Sequence, residues 1–199
     1  MDYVVTYVEV APSSVGEARA LLRQLRTASL REEDGVAFEI LHRSERSSHF
    51  AIIEAWREGA HEAHATADHV KAFREKLRRH LTAGYDERKH VGLAVSPSDG
   101  DADGALHVVT HVDVVPAFKD PGVALVRQLV EASRGEAGCL RFDALTQASR
   151  ANHMTLVETW RDRAAFEAHV VGSHVRRFRD ELTPMSGSLF DERLYTAID

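Results

Sequence analysis

Glu54 and Trp56 stand two positions apart, and His64 and His69 follow them; later in the chain Glu158, Trp160, His169 and His174 appear in the same order. In an extended segment, residues two apart project from one face, so each carboxylate would sit beside an indole. Imidazole is the side chain best suited to exchanging protons near neutral pH. A carboxylate, an indole and two nearby imidazoles together suggest a site for proton transfer. His64, His69, His169 and His174 are the candidate catalytic residues. Glu54, Trp56, Phe73, Glu158, Trp160, Phe178 and His111 are the candidate substrate-binding residues.

A structural reading of the same residues also stands. Glu54 and Glu158 could be hydrogen-bonded at a rim while the tryptophans fill core volume, and the histidines could cap turns and bond backbone carbonyls. Of the twelve histidines, six fall into three repeated pairs, His49 with His153, His64 with His169 and His69 with His174. His69 is expected to open a helix, where the dipole disfavours imidazolium. His61, His64 and His69 are close enough in sequence to suggest a metal site, but Phe166 stands where the second copy would need the third histidine, so no metal is expected. Cys139 is the only cysteine; with Val36 as its counterpart, it reads as a buried apolar thiol.

The elements that must position these residues are also written twice. Val4 to Val10 returns as Val108 to Val114, and Glu54-Ala55-Trp56-Arg57 returns as Glu158-Thr159-Trp160-Arg161. After a slip of one residue, Glu62-Ala63-His64 and Phe73-Arg74 return as Glu167-Ala168-His169 and Phe178-Arg179. A period this long means duplicated domains, not a solenoid of short repeats. The expected organisation is a domain over 1–95, a polar linker over 96–105 and a second domain over 106–199.

Each half reads as β-α-β-β-α-β. Strands are expected over Tyr3 to Val10, Val36 to Arg43, His49 to Arg57 and Arg88 to Val95, and again over Leu106 to Val115, Cys139 to Gln147, His153 to Arg161 and Arg193 to Ile198. The first helix, Ser14 to Leu30, places Ala18, Leu21, Leu22 and Leu25 on one face, with Ser13 or Ser14 as its cap. Asp68 and Ser173 are the expected caps of the second helix of each half, which carries Val70, Phe73 and Leu77 or Val175, Phe178 and Leu182. The fold class is α+β: two ferredoxin-like domains whose bare sheet faces would cover one another as an intrachain dimeric α/β-barrel pseudo-dimer.

The net charge is −6 over 199 residues, and basic residues are dispersed among acidic ones, so nucleic acid is not an expected partner. No apolar run reaches the roughly 18 residues needed to cross a bilayer, and the chain reads as cytoplasmic with no membrane partner. A glycine-rich nucleotide fingerprint is absent.

Glu54-x-Trp56, Ala63-His64 and His69-Val70-x-x-Phe73, with Glu158-x-Trp160, Ala168-His169 and Ser173-His174-x-x-x-Phe178, resemble the antibiotic biosynthesis monooxygenase domain family, which includes quinol monooxygenases. The resemblance implies oxygenation of a quinol or polycyclic phenol by O2 with no cofactor, in a pocket walled by Trp56 or Trp160, with His64 or His69, and likewise His169 or His174, as base. The implied partners are a small aromatic substrate and O2, with pseudo-dimers able to pair further. Two departures stand out. Ile52 and Leu156 occupy the position where anthrone oxygenases of the family carry asparagine, and Arg74 and Arg179 occupy that of the axial histidine of haem-degrading relatives. The rival reading is an aromatic-metabolite-binding accessory protein without turnover; a haem-binding or haem-degrading protein is a third.

Overall fold

The computed structural model describes residues 1–96 and 104–198. Two compact units emerge, one formed by Met1–His90 with the residues from Thr196 on, the other by Val91–Tyr195. The linker expected over 96–105 falls, at 97–103, outside the described residues.

In the first unit, β1 (Asp2–Glu9) leads into α1 (Val15–Ser29), β2 (Gly35–Arg43), β3 (His49–Trp56), the short α2 (Ala60–Ala65), α3 (Asp68–Arg78) and β4 (Asp86–Ala94). β3 pairs antiparallel with both β1 and β2, and β4 lies on the other side of β1. The second unit repeats the plan with β5 (Leu106–Asp113), α4 (Lys119–Arg134), β6 (Cys139–Gln147), β7 (Arg150–Trp160), α5 (Arg163–Val170), α6 (Ser173–Leu182) and β8 (Asp191–Ala197). There β7 pairs with β5 and β6, and β8 pairs with β5. This is the expected α+β class with two ferredoxin-like units, each a four-stranded antiparallel sheet with helices on one face.

Strand alternation sorts each sheet into two faces. Phe50, Ile52 and Trp56 on β3 turn toward the helices and join Val8, Ala18, Leu22, Phe73 and Leu77 in the first core, where Ile198 also packs. The second core repeats this with Met154, Leu156, Trp160, Val126, Phe178 and Leu182. Ile198 donates its amide N–H to the carbonyl of Ile40 at 2.8 Å, which ties the chain's end to the first unit. Among the described residues, no helix is long and apolar enough to cross a membrane.

Several boundaries differ from expectation for local reasons. Ser14 flanks α1 but makes no capping bond; a 3-10 turn over Pro12–Ser14 precedes the helix, and the Ser14 hydroxyl sits 3.0 Å from His80 Nδ1. Asp68 and Ser173 are the first residues of their helices, behind Ala67 and Gly172, and neither helix has a side-chain cap. Among the described residues the only such cap is on α5, where the Asp162 carboxylate accepts the Ala165 N–H at 2.8 Å. The last strand of each half begins earlier than expected because Arg88 pairs with Asp86 and Arg193 with Asp191, which accommodates charges that strand propensity counts against. Register also corrects the counterpart of Cys139: Cys139 lies opposite Trp160 as Gly35 lies opposite Trp56, so Gly35 is its equivalent, not Val36. Burial pushes the half-buried Cys139 thiol up to about 12, leaving it an inert packing group.

Candidate functional site

Glu54 shares the helix-facing side of β3 with Trp56, and both are buried. The indole Nε1–H donates to Glu54 Oε2 at 2.9 Å. α2 is only six residues long, and its last turn lays His64 flat on the indole, with ring centroids 4.1 Å apart and planes 28° from parallel. One edge of the His64 ring, Nε2, lies 3.4 Å from Glu54 Oε2. The other, Nδ1, lies 2.6 Å from Oε1 of Glu32, which comes from the turn between α1 and β2. His69, in the first turn of α3, brings its Nε2 to 3.1 Å from that same oxygen.

The second unit builds the same object. Trp160 donates to Glu158 at 2.9 Å, and His169 lies 4.5 Å from the indole centroid. His169 Nδ1 and His174 Nε2 approach Glu136 Oε1 at 2.6 and 2.8 Å. The structure therefore brings together Glu54, Trp56, His64 and His69, and separately Glu158, Trp160, His169 and His174. In each set it adds a carboxylate that the sequence reading passed over. Glu32 and Glu136 occupy equivalent positions before β2 and β6, so the repeat itself carried the signal that could have found them.

Burial raises the Glu54 carboxyl from 4.5 to about 7, against the lowering effect of the Trp56 hydrogen bond; Glu158 is pushed up to about 8 in the same way. His64 and His169 are both held below the ordinary histidine value because burial outweighs the hydrogen bonds to Glu32 and Glu136. A neutral imidazole beside a protonatable buried carboxyl can accept a proton, which is what a base in this position requires.

A second layer surrounds the first cluster. Arg74 forms an ion pair with Glu87 and stacks 5.2 Å over the Tyr85 ring. Arg179 repeats this with Glu192 at 3.3 Å and with Phe190 at 5.2 Å. Arg74, Leu77, Arg78, Leu81, Tyr85 and Glu87 line a cavity of about 350 Å³. Phe73 is buried in α3 with its ring edge-on to Tyr85 at 6.4 Å, and Phe178 meets Phe190 likewise. His69 and Phe73 border a smaller cavity of about 160 Å³ against α1.

The copies differ beside the stacked pair. His61 lies 6.0 Å from His64, and its buried Nδ1 has no hydrogen-bond partner among the described residues. Phe166 takes its place 6.4 Å from His169. His111 does not join either cluster: it lies on the opposite face of β5 from Val108 and Val112, with Nδ1 3.4 Å from Thr155 Oγ1. His49 opens β3 and His153 lies three residues into β7, paired with Glu9 and Asp113.

Two histidines and one carboxylate are also the donor types of a metal site, and in each unit these atoms lie within 4.8 Å of one another. The 2.6 Å between carboxylate oxygen and Nδ1 is a charge-assisted hydrogen bond. It is shorter than the ~3.3 Å that ligands of a tetrahedral ion keep at ~2.0 Å bond lengths.

Known proteins share parts of this sequence and the fold. An uncharacterized protein of Synechocystis sp. is 26% identical over 94 residues, which cover 47% of this chain and 64% of the relative. The chain thus spans less than two thirds of that relative's length. A crystal structure of a candidate monooxygenase from Fusobacterium nucleatum superposes with a TM-score of 0.89 at 14% identity, covering 100% of this chain and 92% of that one. An anthrone oxidase-like protein superposes with a TM-score of 0.76 at 12% identity, covering 100% and 91%. At these identities the two structures speak for the fold alone, over both repeats. The sequence profile of the antibiotic biosynthesis monooxygenase family matches residues 1–76 and again 105–181, so the chain belongs to that family as a tandem member.

Proposed function

We propose that this chain is a monooxygenase that oxidises a quinol or polycyclic phenol with O2 and needs neither metal nor flavin, each repeat (1–95 and 106–199) carrying its own site. The observation that carries the reading is an imidazole packed on an indole whose N–H is bonded to a buried glutamate, present in both units. A neutral imidazole takes the phenolic proton, and the electron-rich anion gives one electron to O2. The resulting radical and superoxide combine to a peroxide, and loss of water leaves a new carbonyl. One oxygen atom enters the product and the other leaves as water, with the substrate supplying all the electrons.

The cavity beside Tyr85, about 350 Å³ with leucine walls and an Arg74–Glu87 pair at its edge, supports a substrate of two or three rings.

One observation favours binding without turnover. His64 and His169 are only 3% and 4% exposed, and both commit Nδ1 to a glutamate. The experiment is O2 uptake by metal-stripped protein with 1,4-naphthohydroquinone, anthrone and simple hydroquinones, run beside a melting curve for each compound. Uptake above autoxidation is the expected result. Thermal stabilisation by these compounds with no uptake would replace the enzyme by an aromatic-binding protein.

A further inference from the structure

His69 and His174 resemble His64 and His169 in sequence, yet the four histidines hold two different positions. His64 and His169 are sandwiched between an indole and a carboxylate. His69 and His174 are half-buried, with Nε2 3.1 and 2.8 Å from the glutamate oxygens that His64 and His169 approach through Nδ1. Glu136 Oε1 is hydrogen-bonded by both His169 and His174, whereas Glu32 Oε1 is hydrogen-bonded by His64 and has His69 Nε2 nearby but outside hydrogen-bond geometry.

We propose that Glu32 and Glu136 are positioning residues that hold His64 and His169 in the Nδ1–H tautomer, and that His69 and His174 anchor those glutamates instead of acting as bases. The proposal rests on the monooxygenase reading for its kinetic consequences and on geometry alone for the tautomer. An oxygen 2.6 Å from Nδ1 that belongs to a carboxylate can only accept, so Nδ1 carries the hydrogen. In a neutral ring the lone pair is then on Nε2, the edge that His64 turns toward Glu54. When Nε2 takes a proton, the carboxylate at Nδ1 offsets the imidazolium charge inside a buried site. His174, bonded to the same oxygen as His169, keeps that carboxylate from turning away, and His69 packs beside the equivalent oxygen of Glu32.

The groups facing His64 are consistent with one such arrangement. Glu54 comes from β3, His61 from its own helix, His69 and Arg74 from α3 and Glu87 from β4, while Glu32 alone contacts Nδ1. Around His169 stand Glu136, His174 and Arg179. The same wiring in two units with different neighbours, His61 in one and Phe166 in the other, argues that it does not depend on either neighbour.

Nitrogen-15 NMR of the histidine-labelled full chain tests the tautomer without any turnover. His64 and His169 are expected to show the Nδ1–H pattern, and Glu32→Leu with Glu136→Leu to lose it. An Nε2–H pattern or fast averaging in the native protein would overturn the proposal.

Kinetics with 1,4-naphthohydroquinone test the division of labour. Glu32→Gln with Glu136→Gln should lower kcat about 100-fold with KM nearly unchanged, as expected when a base loses its orienting carboxylate. His69→Gln with His174→Gln should cost less than about 10-fold, because neither imidazole is the base and the new side-chain amide at position 174 can still donate to Glu136. A His69→Gln, His174→Gln protein as inactive as His64→Gln, His169→Gln would overturn the assignment. If NMR shows the expected tautomer and no quinol is turned over, the monooxygenase reading fails and the positioning geometry stands.

Discussion

Replacing Glu54 and Glu158 by glutamine should flatten the dependence of stability on pH. Both carboxyls are buried, and burial raises them from 4.5 to about 7 and about 8. Below 4.5 the native and unfolded chains both hold the protons, and these groups cost nothing. Between 4.5 and the raised values the native state keeps a proton that the unfolded state has released, so stability falls as pH rises. At roughly 1.4 kcal/mol per pH unit, Glu54 accounts for a loss of about 3 kcal/mol by pH 7, and Glu158 for about 5 kcal/mol by pH 8. His64 and His169, held below their ordinary value, contribute the opposite slope: their stabilising effect is absent in acid and grows as pH rises toward 6.5.

Glutamine keeps the oxygen that accepts the Trp56 or Trp160 N–H and removes the titration, so comparing native and variant proteins isolates the carboxyls. Urea unfolding from pH 4.5 to 8.5, followed by tryptophan fluorescence and far-ultraviolet circular dichroism to check that the units unfold together, gives the curves. The variants should gain on the native protein by several kcal/mol across that range. Native and variant curves that run parallel would show that neither carboxyl holds a proton in the folded state, and the physical account of the site would be wrong.

Trp56→Ala and Trp160→Ala each open a cavity at a fully buried position and should cost about 3–5 kcal/mol of stability in urea. Their effects on quinol oxidation should differ, because His61 borders one indole's partner and Phe166 the other's; equal losses would indicate equivalent sites. Gly138→Ala should destabilise by about 2 kcal/mol or more, since φ is 90° there and a Cβ would come 2.7 Å from that of Ala165. Gly59→Ala, at φ 80° with open space around it, should cost only about 1 kcal/mol, and equal urea midpoints for the two would refute the steric argument.

Much of the fold was legible because it was written twice. The β-branched runs around Val4 and Val108 and the helical spacing of Val70, Phe73 and Leu77 depend on nearest neighbours, and a second copy confirmed each element. Helix starts were less legible. A serine or aspartate caps only from the position just before the helix, where its oxygen can accept an N–H of the first turn; Asp68 and Ser173 lie one residue inside their helices, and Ser14 makes no such bond.

At the candidate site, sequence alone determined that Glu54 and Trp56 share a face and that His64 and His69 lie near one helix start, since strand and helix periods fix directions over a few residues. It could not determine that Glu32, from a turn on the other side of the unit, closes onto both histidines. Nor could it show that His111 turns to the opposite face of its strand from the cluster. Those facts depend on pairing between segments far apart in the chain. Only the tertiary structure brings such segments together, and with them it decided the burial that raises Glu54 and Glu158 and separates the four histidines into two that are stacked and two that anchor.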